Sequence, residues 1–447
     1  MQIDPTELLF AVALLILLYG TGVVGLRATT QNRAVASFEA RLLLIAMVIR
    51  FAASIAFYAG GLVEIFRDED AGGWWGGVTL YQQWQRQNLS FFDLPNEIWT
   101  AFMNPLGNFG YYYLLGTLFF VIDMHSRLAA AVVNNFFGAL TVVLAYRIAG
   151  ILFSDWVARR VGWWACLMPS LVMWSAQTLK EPIVIFLETG AMYCCLRMKV
   201  SRRRLLPLVG CAIYVFVLVA FRFYAAYLAG AAVCLALVMP VLNRGRSTWV
   251  SGLIVGGSLV AILVGSGLLA RHEVVFEKYS LAQLQSMRDY TARNTGSGVV
   301  LDYDLRTVSG FASSSFVGWA HLLLAPFPWQ LGAASLRMLL VLPDAAVWWW
   351  LFFIGIVPGF RIAVRSRFAE IQPILFFLLG LGTLYSITFS NVGLVYRYRA
   401  QLMPWLLIFA MVGLEQRRVT AWARRHPQTL ARVPARRSAA APSGVPT

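Results

Sequence analysis

The stretch Ile65-Phe-Arg-Asp-Glu-Asp-Ala-Gly-Gly-Trp-Trp-Gly-Gly77 places three consecutive acids, Asp68, Glu69 and Asp70, directly after a long apolar segment. Acids at the end of a membrane span are costly, so they are rarely there without a role. One interpretation is a set of solvated loop acids that marks where a helix leaves the bilayer. The other is a functional acidic motif at the membrane surface, and charged groups elsewhere in the chain favour it.

The composition is that of a polytopic integral membrane protein. Of the 447 residues, 59% are hydrophobic and only 13% are charged, which is too apolar for a soluble domain. The formal net charge of +16 does not indicate nucleic-acid binding. Most of that charge is arginine in short loops and in the C-terminal tail, as membrane topology requires. We therefore expect membrane lipids, and no nucleic acid, among the partners.

About eleven apolar windows are long enough to cross a bilayer. They lie near residues 8–26, 42–63, 128–149, 161–178, 182–198, 205–220, 223–241, 249–270, 336–357, 370–389 and 400–415. A further window, 105–122, is shorter and contains three tyrosines, which are common at the membrane interface. The predicted fold is therefore all-α and polytopic, with about eleven transmembrane helices, outer-face loops and one interfacial helix.

The distribution of arginine predicts the orientation in the membrane. If 105–122 does not cross, the basic loops and the basic tail all lie on one face, which is then cytoplasmic. The first outer loop, 64–127, and a long outer loop, 271–335, face the other side. We expect residues 1–416 to form a transmembrane domain of the inner membrane. Residues 417–447 are expected to form a disordered basic cytoplasmic tail.

Two motifs place charged groups between apolar segments at the outer face. Lys180 and Glu181 separate the windows 161–178 and 182–198, and Arg222 separates the next two windows. A local Lys–Glu ion pair that closes a helical hairpin would explain the first motif. A snorkelling arginine at the membrane boundary would explain the second.

A third motif, Tyr396-Arg-Tyr-Arg399, runs directly into the last apolar window. Its arginines lie on the side where the positive-inside rule does not place them. Planar guanidinium groups bind phosphate oxygens through paired hydrogen bonds and stay charged at the interface. The residues expected to bind the phosphate of a lipid-linked donor are Lys180, Arg222, Arg397 and Arg399. Those expected beside them, near the acceptor, are Glu181, Tyr396 and Tyr398.

The order of these motifs resembles the GT-C superfamily, the multi-span glycosyltransferases that use polyprenyl-phosphate-linked sugars. The resemblance is carried by the acids at 68–70, the interfacial segment 105–120, Asn134–Ala149, Pro169–Ser175, Lys180–Pro182 and Arg397–Arg399. Pro326-Phe-Pro-Trp329 is similar to an element of bacterial members near exopolysaccharide loci. One span before the usual first span departs from the superfamily pattern and would leave the N-terminus outside.

The resemblance implies a catalytic base in the first outer loop, and Asp68 or Asp70 fits that role better than Glu69. The base would take the proton of an acceptor hydroxyl while positive charge develops on the departing sugar. The predicted activity is transfer of a sugar from a polyprenyl-phosphate donor to a glycan, lipid-linked or protein acceptor at the periplasmic face. The expected chemistry is an inverting single displacement. The residues indicate no particular cofactor, and the use of a divalent metal stays open.

Other functions remain as alternatives. A polysaccharide polymerase or an O-antigen-ligase-like enzyme would also use outward arginines, but on an undecaprenyl-pyrophosphate glycan. A flippase or transporter of lipid-linked oligosaccharides would need charged residues in the middle of spans, where we identify only Arg50. A purely structural assembly subunit would leave the outward arginines unexplained.

Overall fold

Long apolar runs separated by short polar segments form the helices of the protein. The computed structural model describes residues 4–62, 70–102, 109–201, 204–242, 280–295, 298–333 and 336–426. The helices of the first part are α1 Pro5–Thr29, α2 Arg33–Ala59, α3 Asp70–Arg86, α4 Leu94–Phe102, α5 Gly110–Ile122, α6 Arg127–Leu152, α7 Asp155–Leu167 and α8 Pro169–Ser175. Those of the second part are α9 Glu181–Val200, α10 Leu205–Leu242, α11 Leu281–Asn294, α12 Val308–Leu324, α13 Leu336–Leu351, α14 Val357–Ile387 and α15 Val392–Arg425.

Side-chain caps determine where several helices begin. Each cap accepts a hydrogen bond from a backbone N–H in the first turn of the helix that follows, and the caps include Asp4, Asn32, Ser126, Ser154 and Asn391. These bonds satisfy N–H groups that have no acceptor within the helix. The few polar residues between apolar runs therefore set the helix boundaries.

In the described ranges of the chain, five helical segments are long and apolar enough to cross a membrane. They are Pro5–Thr29, Arg33–Ala59, Arg127–Leu152, Leu205–Leu237 and Leu342–Ile387. The prediction of an all-α, membrane-embedded protein is confirmed at this level. The predicted number of about eleven spans stays a prediction.

Helices α6, α9 and α15 form the centre of the fold. Helix α6 packs against α1, α2, α7 and α9, and α9 packs in turn against α10 and α15. Two of these central helices, α9 and α15, are not among the five apolar segments, because both carry charged residues in or near their buried parts. A helix at the centre of this fold therefore need not be among the most apolar ones.

Helix α10 consists of two antiparallel helices joined at Arg222. The backbone of Arg222 is non-helical, with φ −159° and ψ 83°. A Cβ atom at Gly230 would lie 3.8 Å from Cγ1 of Val215, whereas a straight helix would separate these residues by about 22 Å. The chain therefore reverses at Arg222, at the predicted boundary between 205–220 and 223–241.

Helix α14 reverses at Arg367, where the backbone also leaves the helical region (φ −141°, ψ 32°). Before the break, the chain runs parallel to α15: the guanidinium of Arg399 lies over the ring of Trp348, and Gly359 packs further along, between Phe409 and Gly413. After the break, the order is antiparallel: Phe377 with Trp405, and Tyr385 with Tyr398. The break falls between the predicted windows 336–357 and 370–389.

The window 161–178 is not one continuous helix. Helix α7 ends at Leu167, Met168 is extended, and α8 covers only Pro169–Ser175. Proline lacks an amide hydrogen and disfavours helical geometry in the residue before it. A single spanning helix here, as predicted from apolarity, is therefore wrong.

The C-terminal boundary also differs from the prediction. Helix α15 continues to Arg425, so residues 417–425 are helical and not part of a disordered tail. The helix ends before Pro427, as the restriction on the residue that precedes a proline explains. Residues 427–447 and the predicted window 249–270 lie outside the described residues.

The short helix α5 covers most of the predicted interfacial segment 105–122. Its 13 residues extend about 20 Å, which is shorter than the roughly 30 Å hydrocarbon core of a bilayer. Helix α3 packs closely on it, because a Cβ at Gly77 would lie 2.5 Å from Cβ of Leu115. The glycines of the acidic, Gly/Trp-rich stretch thus let two helices approach each other.

The predicted orientation can be tested by cysteine labelling of the intact protein. Gln87, after α3, and Ser366, beside the break in α14, are both exposed. We expect Gln87→Cys to react with a membrane-impermeant maleimide in intact cells, and Ser366→Cys to react only after permeabilisation. The opposite pattern would reverse the orientation of the chain.

Candidate functional site

Glu181 is fully buried at the first residue of α9, where a carboxylate is favoured by the helix dipole. Nη2 of Arg222 donates to its Oε1 at 2.9 Å. Nε of Arg397 lies 2.7 Å from Oε1, and its Nη2 donates to Oε2 at 3.1 Å. One carboxylate therefore joins α9, α10 and α15. Together with the half-buried Lys180, these residues are called the Glu181 cluster.

The contacts of the cluster go beyond the two structural interpretations of its residues. Glu181 pairs with arginines from distant helices, so it does more than close a local hairpin with Lys180. Arg222 is only 4% exposed, so it does not snorkel to the membrane surface. Three cationic side chains surround one carboxylate in the cluster, which leaves an excess of positive charge.

A hydrogen-bonded chain extends from the cluster into the protein. Nη1 of Arg222 donates to the hydroxyl of Tyr385 at 2.8 Å, and this hydroxyl donates to Oε1 of Gln401 at 2.6 Å. The ring of Tyr385 stacks on that of Tyr398, with centroids 4.1 Å apart and planes 8° apart. The guanidinium of Arg222 also lies 5.6 Å from the ring centre of Tyr224.

A cavity of about 140 Å³ lies beside this chain. Tyr224, Tyr385 and Tyr398 line one side of it, and α11 forms another through residues that include Arg288. The cavity therefore combines aromatic surfaces with hydroxyl groups next to a positively charged cluster. Such a combination suits a sugar ring, which stacks on aromatic faces and bonds to polar groups.

Arg288 anchors the long predicted outer loop over the cavity. It is 2% exposed, donates to Oγ of Ser314, and donates through Nη2 to the carbonyls of Leu301 and Tyr303. The loop also pairs with the segment before α15, since the N–H of Val299 donates to Ser390 at 2.8 Å. Loops of this length commonly cover a site, and the described part of this loop forms a wall of the cavity.

Asn134 of α6 holds the segment that precedes Lys180. Its Nδ2 lies 2.6 Å from the carbonyl oxygen of Gln177 and 2.7 Å from that of Leu179. Asn134 is fully buried, so water cannot replace these bonds at low cost. The amide thus fixes the approach of the chain to Glu181.

The backbone that follows the acidic stretch also approaches the Glu181 cluster. A Cβ at Gly73 would lie 2.7 Å from the carbonyl oxygen of Thr178, so the first turn of α3 packs on the segment before Lys180. Asp70 is the first residue of α3, but only its backbone is described. Asp68 and Glu69 lie entirely outside the described residues. The backbone therefore brings the end of the acidic stretch near the cluster.

Arg399 and Tyr396 lie apart from the cluster. Nη2 of Arg399 donates to the carbonyl of Ala325 at 2.8 Å, and its guanidinium lies over the rings of Tyr396 and Trp348. Arg399 and Arg397 are two residues apart, about 200° around a helix, so they point to opposite sides of α15. The two arginines do not share one site.

Several residues of this region were missed in the sequence. Tyr385 and Gln401 gave no signal, because isolated polar residues are common in apolar windows. Glu188, however, is a carboxylate inside the window 182–198 and is fully buried. Such residues are functional candidates by default, and identifying only Arg50 as deeply placed was wrong.

Arg50 itself has a structural environment. It is 1% exposed and donates to the backbone carbonyls of Ala46, Ala165 and Cys166. These bonds tie α2 to α7. Arg50 is therefore bonded to backbone groups inside the protein.

Within the part of the chain that the structure describes, no group of three or more His, Cys, Asp or Glu side chains could hold a metal ion. No protein-family model matches the sequence, and no curated protein matches it.

The role of Asn134 in holding the cluster can be tested by comparing two asparagines. Asn134→Ala leaves two buried carbonyls without their donor, which should lower the free energy of unfolding by about 1–3 kcal/mol. Asn294 also donates to a backbone carbonyl, but it is exposed, so Asn294→Ala should change stability by less than about 0.5 kcal/mol. Thermal unfolding in detergent measures both, and equal losses would contradict the assignment.

Proposed function

We propose that the protein is a membrane glycosyltransferase that transfers a sugar from a polyprenyl-phosphate-linked donor. The acceptor is a glycan, a lipid-linked molecule or a protein at the periplasmic face of the inner membrane. The Glu181 cluster supports this function most directly. It places an excess of positive charge beside a cavity lined by tyrosines, and the acidic first-loop stretch approaches it.

In this proposal the cluster binds the phosphate of the donor. The side chain of Arg397 is 16% exposed, against 5% for Arg222, so the phosphate reaches Arg397 first. Glu181 holds both guanidinium groups in place, since its two oxygens fix their orientation. Arg399 is not part of this phosphate site, because it contacts Ala325 on the other side of α15.

The reaction is a single displacement at the anomeric carbon. An acid of the first loop, Asp68 or Asp70, accepts the hydroxyl proton of the acceptor, and the acceptor oxygen forms a bond to the anomeric carbon. The bond from that carbon to the phosphate oxygen breaks, and polyprenyl phosphate leaves. The cationic side chains stabilise the charge that develops on the departing phosphate.

The proposed enzyme has about eleven spans, with the site at the outer ends of the central helices. The reversals of the chain at Arg222 and Arg367 support this count, because each divides a long helical segment into two. The short helix α5 supports an interfacial position for the first outer loop.

Donor binding can be tested at Arg397. Arg397→Lys keeps the charge but loses the planar fork, so the affinity for a polyprenyl-phosphate sugar should fall about tenfold or more. The control is Arg293→Lys, the same change at an exposed residue of α11, which should leave the affinity unchanged. Equilibrium binding of radiolabelled donor to protein in nanodiscs gives both values. Unchanged affinity of the Arg397 variant would show that the Glu181 cluster does not bind the phosphate of the donor.

Catalysis can be tested at the first-loop acids. Asp→Asn removes the basic group while keeping the size, so one of Asp68→Asn and Asp70→Asn should lower the transfer rate about 10²–10⁴-fold. Donor binding should persist in the same variant, which separates chemistry from folding. Glu69→Gln is the neighbouring control and should retain most of the activity. Near-full turnover in both aspartate variants would show that these acids are loop residues without a catalytic role.

A flippase or transporter of lipid-linked oligosaccharides is a second candidate, and one observation favours it. Glu181 and Glu188 of α9 and Arg222 of α10 are buried charged or titratable residues, as a transporter requires. Donor binding that depends on Arg397, together with full activity of the aspartate variants, would favour this candidate. The movement of labelled lipid between the two leaflets of vesicles that contain the protein would then be the decisive measurement.

A further inference from the structure

A second buried acid, Glu188, lies on the same helix as Glu181. Glu188 is fully buried, and neither of its carboxylate oxygens has a hydrogen-bond partner in the described ranges of the chain. Seven residues make about two turns, so the two acids share one face of α9, about 10 Å apart along the helix axis. The proposed sugar transfer makes no use of Glu188.

Few charged or titratable groups from the described part of the chain interact with Glu188. Those that interact with it electrostatically are Glu181 on its own helix, Arg222 and Tyr224 on α10, and Tyr385 on α14. Arg222 is already bonded to Glu181 and to Tyr385. An ionised carboxylate that is buried without a bonded counter-ion is very costly, whereas the neutral acid is not. Glu188 is therefore expected to hold a proton in this arrangement.

Two other polar atoms in the network around Arg222 also lack hydrogen-bond partners. Among the described residues, Nε of Arg222 and Nε2 of Gln401 are buried and unpartnered. Tyr385 connects these two side chains, since it accepts from Arg222 and donates to Gln401. Tyr385 also lines the cavity. Tyr385 thus connects the cavity to Arg222, and both residues interact electrostatically with Glu188.

We propose that Glu188 is a proton-binding site in the core of the protein, reached from the cavity past Tyr385 and Arg222. The ligand is a proton taken from water, which forms the O–H bond of a carboxylic acid on Glu188 and leaves as a proton again. Glu188 stays neutral while Arg222 is bonded to Glu181. This site is separate from the sugar transfer, whose base lies in the first loop.

Infrared spectroscopy of the purified full-length protein in lipid vesicles tests the proton directly. At neutral pH the wild type should show the carbonyl stretch of a protonated carboxylic acid, and Glu188→Gln should lack it. Glu370→Gln, which changes an exposed glutamate of α14, should retain it. The band should shift in D₂O because the proton exchanges with the cavity. An absent wild-type band, or a band that does not shift in D₂O, would overturn the proposal.

The thermal stability of the protein gives a second, independent test of whether Glu188 holds a proton. Glutamine resembles the neutral acid, so Glu188→Gln should fold and melt at least as high as the wild type at neutral pH. A group that holds its proton more tightly when folded contributes stability that is lost as the pH rises. The melting temperature of the wild type should therefore fall relative to Glu188→Gln as the buffer becomes alkaline. A variant that melts lower at neutral pH, or does not fold, would show that Glu188 works as a charged group and would overturn the proposal. Neither the infrared measurement nor the thermal one depends on transferase activity.

Discussion

A buried carboxylate has to be neutralised where it lies, and in this protein Glu181 meets that requirement with arginines from two other helices. Its two oxygens hold Arg222 and Arg397, so α9, α10 and α15 are connected at one point. Removing one partner of such a buried pair typically costs about 3–5 kcal/mol, because a charge is left unpaired. This constraint fixes the ends of three helices relative to one another. The cavity lies next to that point because Tyr385 and Tyr398, which line it, belong to the same network.

The break in α10 follows from the same constraint. Arg222 lies at the reversal between two antiparallel helices, where its backbone has left the helical region. A residue at such a turn projects from the end of both helices, which allows its guanidinium to reach Glu181 and Tyr385 together. In the middle of a continuous helix, the same side chain would face lipid or a neighbouring helix. Placing an arginine at the turn thus combines the chain reversal with the ion pair.

Parts of this arrangement were predictable from local sequence, and parts were not. Apolar windows gave the helical class and the position of the reversal at Arg222, since apolarity and an interrupting charge are local properties. The division of the window 161–178 could have been predicted from Pro169. The partners of Glu181 are more than 40 and 200 residues away along the chain, and no local pattern specifies such distances. The expectation that Arg222 and Arg397 share a site with Lys180 rested on topology, which brings outer ends together without fixing contacts.

Arg397 and Arg399 show the limit of that reasoning most clearly. Both follow the same segment and both come directly after a tyrosine, so composition alone treats them as a pair. Because two positions on a helix differ by about 200°, only one of them can face Glu181. Arg397 takes that position, and Arg399 is left to bond Ala325 and to contact Tyr396 and Trp348 on the opposite side. One arginine therefore joins the cluster beside the cavity, while the other fixes α15 against the turn that precedes Pro326. Helical geometry, and not residue type, divides the motif between the Glu181 cluster and the opposite side of α15.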